Sequence, residues 1–161
     1  MPIYIKYGDI KGDVTADGHK GSDGWFEVNS FNWGVGRGIS SPTGGSADRE
    51  ASAPSVSEIT VSKSMDIASY AILNEALQGE GLGCEIHFCK TDKGVLETYA
   101  SYILEDCMVS GYSVSSGGDR PTETLSINFT KIEYKYTPYD DQHKAGKPVP
   151  VTYDLLTATN K

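Results

Sequence analysis

Apolar and polar residues alternate with a period of two at several places along the chain, and this rhythm limits what it can fold into. Ile3, Ile5 and Tyr7 alternate with Tyr4 and Lys6, and Cys84, Ile86 and Phe88 alternate with Glu85, His87 and Cys89. Successive side chains on a strand leave opposite faces, so these runs suit half-buried strands rather than one stripe of a helix. Trp25 to Val35 also has β character but changes phase: Phe26 and Val28 share one face, whereas Phe31, Trp33 and Val35 share the other. A bulge near Asn29-Ser30 would reconcile the two. Val56 to Lys63, Glu97 to Glu105, Met108 to Ser115 and a final long strand over Thr122 to Tyr136 complete the set, with Asp92-Lys93-Gly94 as a hairpin turn.

One stretch breaks the rhythm. Between Asp66 and Gly79, Ile67, Tyr70, Leu73 and Leu77 recur at helical spacing, with Asp66 as N-cap and Gly79 as stop, which predicts a helix over about 66–78. The segment GRGISSPTGGSADREASAP from Gly36 to Pro54 has no periodicity and reads as a long loop. After Pro138 the composition turns polar and proline-rich, and only Val151, Tyr153, Leu155 and Leu156 are suited to docking. The expectation is a mostly β fold, a small β-barrel or two-sheet sandwich flanked by one short helix. It divides into a body over 1–138, containing the loop 36–54, and a polar C-terminal segment over 139–161, partly docked. Its 161 residues suffice for one domain that buries roughly 70% of the unfolded surface.

Composition removes several functions. With 14 basic and 22 acidic residues the net charge is −8, so no positive field exists to hold a nucleic-acid backbone or an anionic bilayer. No apolar run approaches a membrane span, and MPIYIKYGDIKGD lacks the basic and apolar regions of a secretory signal. Cys84, Cys89 and Cys107 are odd in number, which fits folding in a reducing cytoplasm.

No residue pattern concentrates chemistry. His87 and Cys89 leave one strand face, as metal ligands sometimes do, but no second pair accompanies them: His19 and His143 sit in turn-like or tail segments. A Cys/His nucleophile would need an activated thiolate with an orienting partner, and nothing local supplies one. Glu97, Glu105, Asp106 and Glu123 fall at strand ends or solvent-phase positions, where carboxylates are solvated. Gly34-Val35-Gly36-Arg37-Gly38 lacks the Lys-Ser/Thr ending and the helix of a phosphate loop. No catalytic residue, metal or cofactor is expected. A compact β domain of this kind binds or assembles.

Blocks of sequence then resemble a known family. Ile3-Tyr4-Ile5-Lys6 with Ile10-Lys11-Gly12-Asp13, His19-Lys20-Gly21 with Trp25-Phe26-Glu27-Val28, Ser30-Phe31-Asn32-Trp33-Gly34, Ile59-Thr60-Val61-Ser62-Lys63 followed by Asp66, and Cys89-Lys90-Thr91 carry the resemblance through the first half. Val109-Ser110-Gly111-Tyr112-Ser113, Gly118-Asp119-Arg120-Pro121-Thr122-Glu123, Leu125-Ser126-Ile127-Asn128-Phe129 and Lys131-Ile132-Glu133 carry it through the second. Together they resemble the haemolysin-coregulated protein (Hcp) family, the tube protein of bacterial type VI secretion. Ser22-Asp23-Gly24 looks like a small insertion, and Thr152-Tyr153-Asp154 stands where the family has a late Gly-Trp-Asp or Gly-Tyr-Asn.

The resemblance implies a homo-hexameric ring, stacking of rings into a tube inside a contractile sheath, and carriage of effectors in the lumen. Sheath and spike proteins are then partners, nucleic acid and membrane are not, and no fused toxin domain is expected. The protein would be cytoplasmic before firing and extracellular afterwards, without a cleavable signal. Phase places Asn32 and Ser30 together, opposite Phe31 and Trp33, which suits either lumen-facing effector contacts in such a ring or ordinary solvent-facing strand residues. The loop 36–54, with Arg37, Asp48, Arg49 and Glu50, is expected to mediate ring stacking. Two alternatives stay open: a monomeric β-sandwich that binds a ligand, and a small β-fold hydrolase.

Overall fold

The computed structural model describes residues 1–40, 51–140, 142 and 144–160. Twelve strands lie in this order among them: β1 (Ile3–Tyr7), β2 (Trp25–Val28), β3 (Ser30–Asn32), β4 (Val35–Gly36), β5 (Ser55–Val56), β6 (Ile59–Ser64), β7 (Leu82–Asp92), β8 (Val95–Ser115), β9 (Thr122–Asn128), β10 (Lys131–Tyr136), β11 (Val149–Asp154) and β12 (Thr159–Asn160). One α-helix, α1 (Ser69–Gln78), separates β6 from β7.

Two sheets share one strand. In sheet A the order is β12-β11-β10-β8-β7-β1-β2, all antiparallel, and in sheet B β8, β9, β6 and β3 are neighbours in that order. β8 spans 21 residues and serves both: its first part pairs with β7 and β10, and Met108 onward pairs with β9. It turns from one sheet to the other near Asp106, whose φ of 51° is a left-handed conformation that a short polar side chain tolerates. The sheets do not close into a barrel, so of the two expected architectures the sandwich-like one is realised.

The two runs read as single long strands are each split, for the same reason. Trp25–Val28 belongs to sheet A and Ser30–Asn32 to sheet B, with Asn29 at the crossing and its amide bonded to the Ser62 carbonyl. Thr122–Asn128 lies in sheet B and Lys131–Tyr136 in sheet A, with Phe129 buried at the corner. A phase change within an apolar run here marks a strand leaving one sheet for the other rather than a bulge. The β7–β8 hairpin forms as expected, with Lys93 and Gly94 both at positive φ, which matches the strand twist in a two-residue turn.

Between the sheets lies one core in which Ile5, Phe26, Ile59, Ile86, Leu104, Leu125 and Ile127 are buried. Residues 149–160 add β11 and β12 to the edge of sheet A, and Tyr153 packs against the core while Val151 and Leu156 stay exposed. The segment 36–54 is not uniformly loop. Val35 and Gly36 pair with Val56 and Ser55, the Ser52 amide bonds the Gly38 carbonyl, and Ile39 bridges Ala51. These pairings make a two-stranded arm that leads toward residues 41–50.

Candidate functional site

Three features stand apart from a generic β core: a helix with its apolar stripe outward, an apolar groove beside the arm, and two clusters of buried polar side chains. The helix is fixed from its N-terminal end. Ile59, Val61 and Lys63 share one face of β6, so the phase that buries the two aliphatics also drives the lysine inward. Lys63 is fully buried, and its ammonium lies 2.9 Å from Glu123 Oε1, 2.7 Å from Asp66 Oδ1 and 2.9 Å from the Ser64 carbonyl. Ser69, the first residue of α1, donates to Glu123 at 2.6 Å, and the Tyr112 hydroxyl donates to the other carboxylate oxygen. Asp66 accepts from the Ala68 amide at 2.9 Å and so fixes the turn before the helix, but it is not the N-cap expected of it: Ala68 holds that position and α1 starts at Ser69.

Glu123 is therefore not a solvated carboxylate, as its charge suggested. It shares the phase of Leu125 and Ile127 and has no exposure. Burial pushes its carboxyl up, but hydrogen bonds from Ser69, Tyr112 and Lys63, with the lysine charge, outweigh burial and hold it below the ordinary value. The network is a structural anchor that ties β6, β8, β9 and the start of α1 together.

Anchored in this way, α1 buries Ala68, Ser69 and Ile72 against the body. The stripe of Ile67, Tyr70, Leu73 and Leu77 points away, with Tyr70 and Leu77 each 76% exposed. A second apolar surface lies beside the arm, a cavity of about 410 Å³ lined by Trp33, Val35, Val56, Tyr102, Tyr134 and Val151 among others. The Trp33 indole Nε1 is buried there without a hydrogen-bond partner.

The expected site residues fall as follows. Ser30 and Asn32 are both exposed on β3, on the face opposite Phe31, whose ring stacks on Tyr102 at 5.1 Å. Ser30 Oγ lies 2.5 Å from Ser62 Oγ on the neighbouring strand. Arg37 lies in the arm and donates from Nε to the Ser52 carbonyl at 2.9 Å. Asp48, Arg49 and Glu50 lie outside the described residues, as does His143.

Sequence reasoning missed a cluster on the outer face of sheet A. His19 lies in a strap of residues 8–24 that crosses this face; it closes a turn, its amide bonded to the Ala16 carbonyl, and its side chain is buried. It brings its Nε2 within 2.9 Å of His87 Nδ1 and 3.9 Å of Cys89 Sγ. The sequence did not show that His19 joins His87 and Cys89, and the cluster does not make a nucleophile. Cys89 has no exposure, and burial pushes its thiol up against an opposing hydrogen bond with Thr98. Among the described residues no group of three or more His, Cys, Asp or Glu is placed to hold a metal ion.

This fold is an open two-sheet sandwich that leaves apolar surface exposed on α1 and beside the arm. The model of the type VI secretion system effector family Hcp matches residues 4–136, and the chain belongs to that family. A solved type six secretion system protein is 30% identical with a TM-score of 0.88, and the match covers 99% of each chain. A type VI secretion system effector from Yersinia pestis is 20% identical with a TM-score of 0.73 over 94% of this chain and 98% of that one. Hcp1 from Salmonella typhimurium is also 20% identical with a TM-score of 0.73, over 99% and 98%. No curated protein matches the chain by sequence. The family supports a tube protein of type VI secretion, and no helix among the described residues is long and apolar enough to cross a membrane.

Proposed function

We propose that this chain assembles into hexameric rings that stack into the inner tube of a type VI secretion machine, carry effectors in the lumen and leave the cell when a sheath contracts. One observation carries the reading: a single copy leaves two apolar surfaces unpaired on different elements, the outward stripe of α1 and the groove at the arm. Isolated monomers rarely keep such surfaces free. Two different surfaces on one chain suit head-to-tail contacts, and head-to-tail contacts that close make rings. Within the ring Ser30 and Asn32 face the lumen, and the sequence segment 36–54, with Arg37, Asp48, Arg49 and Glu50 as candidates, meets the next ring.

Gel filtration with light scattering tests the assembly, and negative-stain images test its shape. A mass near six times that of the chain, with annular particles, is expected. A monomer at micromolar concentration overturns the reading. The groove also fits a ligand-binding sandwich, since its volume lies within the range of small-molecule sites; a monomer that binds an aromatic ligand there would favour that alternative.

A further inference from the structure

The strap of residues 8–24 is held to sheet A by an unusual bond between two imidazoles. Its close approach to β2 and to itself depends on glycine: a Cβ on Gly12 would lie 2.5 Å from the Trp25 carbonyl oxygen, and one on Gly21 would lie 1.8 Å from that of Gly12. From this folded strap His19 reaches down between Tyr4, whose ring stacks on it at 4.9 Å, and Trp25, which meets it edge-on at 4.6 Å. The 2.9 Å bond to His87 Nδ1 completes the seat, and Cys89 is sealed beneath.

The hydrogens of this bond follow from its neighbours. Glu85 Oε2 lies 3.3 Å from His87 Nε2, and a carboxylate only accepts, so Nε2 carries hydrogen. In a neutral ring Nδ1 is then bare and accepts, so the His19 nitrogen facing it is N–H. That leaves His19 Nδ1 bare, and it is buried without a partner. One added proton can be held without breaking the bond, although burial resists its charge. His87, now charged beside Glu85, donates from Nδ1 to His19 Nε2, and the His19 hydrogen moves to Nδ1, on the ring whose protonated form the nearby Asp17 backbone favours. A second proton cannot be accommodated, because both nitrogens at 2.9 Å would be donors on two cations.

We propose that the His19–His87 pair is a proton-operated latch: with no proton or one proton added the strap stays shut over sheet A, and the second opens it and uncovers Cys89. The groups that face the pair set its response. Glu85 on β7 supports the first charge. Tyr4, Trp25 and the Cys89 thiol offer none, and Lys6 on β1 and Glu27 on β2 lie on the same sheet face with opposite signs. Within the strap, Asp13 is turned toward the Ile67 amide. Burial holds both imidazoles below their ordinary value, and His19 also lowers His87. Closed strap therefore binds fewer protons than open strap, and closure weakens as pH falls below about 6.5.

Cys89 is the reporter. The wild-type chain is treated with 4,4′-dithiodipyridine, which exchanges with thiols in acid, and each modified cysteine is located by peptide mass mapping. Relative to the denatured chain at the same pH, modification of Cys89 should rise roughly ten- to a hundredfold between pH 7.5 and 5.0, with the buried Cys84 and Cys107 unchanged. His19→Gln keeps an amide donor where Nε2 stands, and His87→Asn keeps an acceptor where Nδ1 stands, and neither titrates. Each folded variant should lose the rise. A flat wild-type profile, an equal rise at Cys84, or a slope that survives in a folded variant overturns the latch. On the wild-type chain, proton NMR of the two ring Cε1–H signals should show two separated titration steps, and a single step shared by both rings also overturns it.

Discussion

Lys63 and Glu123 have no exposure, so their contact is an ion pair with almost no help from water. The desolvation of two such charges is repaid only when every remaining donor and acceptor is bonded. Here Asp66, Ser69, the Ser64 carbonyl and Tyr112 complete the set. Lys63→Met should then cost about 3–5 kcal/mol in urea unfolding, because it strands a buried carboxylate, and joining it to Glu123→Leu should recover much of that loss. The pH dependence has a definite sign. Glu123 is held below its ordinary value in the folded chain, so its contribution is complete above the unfolded carboxylate range of about 4 and is lost as pH falls further. Acid unfolding of Glu123→Gln should show a shallower slope below that point, and an unchanged slope would remove the assignment. In the structure Lys63 shares the buried phase of Ile59 and Val61, and Glu123 that of Leu125 and Ile127 on the next strand, whereas the sequence placed Glu123 at a strand-end or solvent-phase position. Charge argued the other way, and a sequence does not show that two charged residues 60 positions apart meet.

At the scale of elements, α1 separates what a pattern reveals from what it leaves out. Ile67, Tyr70, Leu73 and Leu77 were legible as a stripe at helical spacing, and the helix forms over the last three of them, with Ile67 in the turn before it. Spacing identifies an apolar face but not the surface that will cover it. The inner face is set instead by Ser69 on Glu123 and by Ala68 and Ile72, a smaller and partly polar set. The two faces should respond in opposite ways. Ile72→Ala should cost about 2–5 kcal/mol of stability, whereas Tyr70→Ser with Leu77→Gln should change unfolding of the single copy by no more than about 0.5 kcal/mol per site. Light scattering of the second variant should show the assembly lost. A large loss of stability there would mean that the stripe packs within its own chain. Strand boundaries were legible in the same partial way, since alternation marks Ile5 and Ile86 as core but does not say that Asn29 and Phe129 are where the chain changes sheet.

For the whole molecule, the exposed residues Ser30 and Asn32 on β3 and the arm at its far end belong to one stretch of chain. The arm begins three residues after Asn32, at Val35, and is tied across by Val56, Ala51 and Ser52. If the lumen wall includes Asn32, Asn32→Asp adds one negative charge per subunit to the channel and nothing to the core; rings should persist on negative-stain grids while co-purified effector falls. Equal effector retention would remove Asn32 from the wall. The arm should act on a different property. A paired stem of two short strands holds its base, and any one contact it makes on a neighbour fixes side chains and so costs entropy. Each contact is then weak by itself and gains strength from repetition around a ring. Replacing residues 37–54 with a short Gly/Ser linker that still joins Gly36 to Ser55 should leave the hexamer mass unchanged in light scattering. Tubes and secreted protein should both disappear. Tubes that persist without the arm would place stacking in the turns at the strand ends, and loss of the hexamer itself would move the arm from the contact between rings to the contact between subunits.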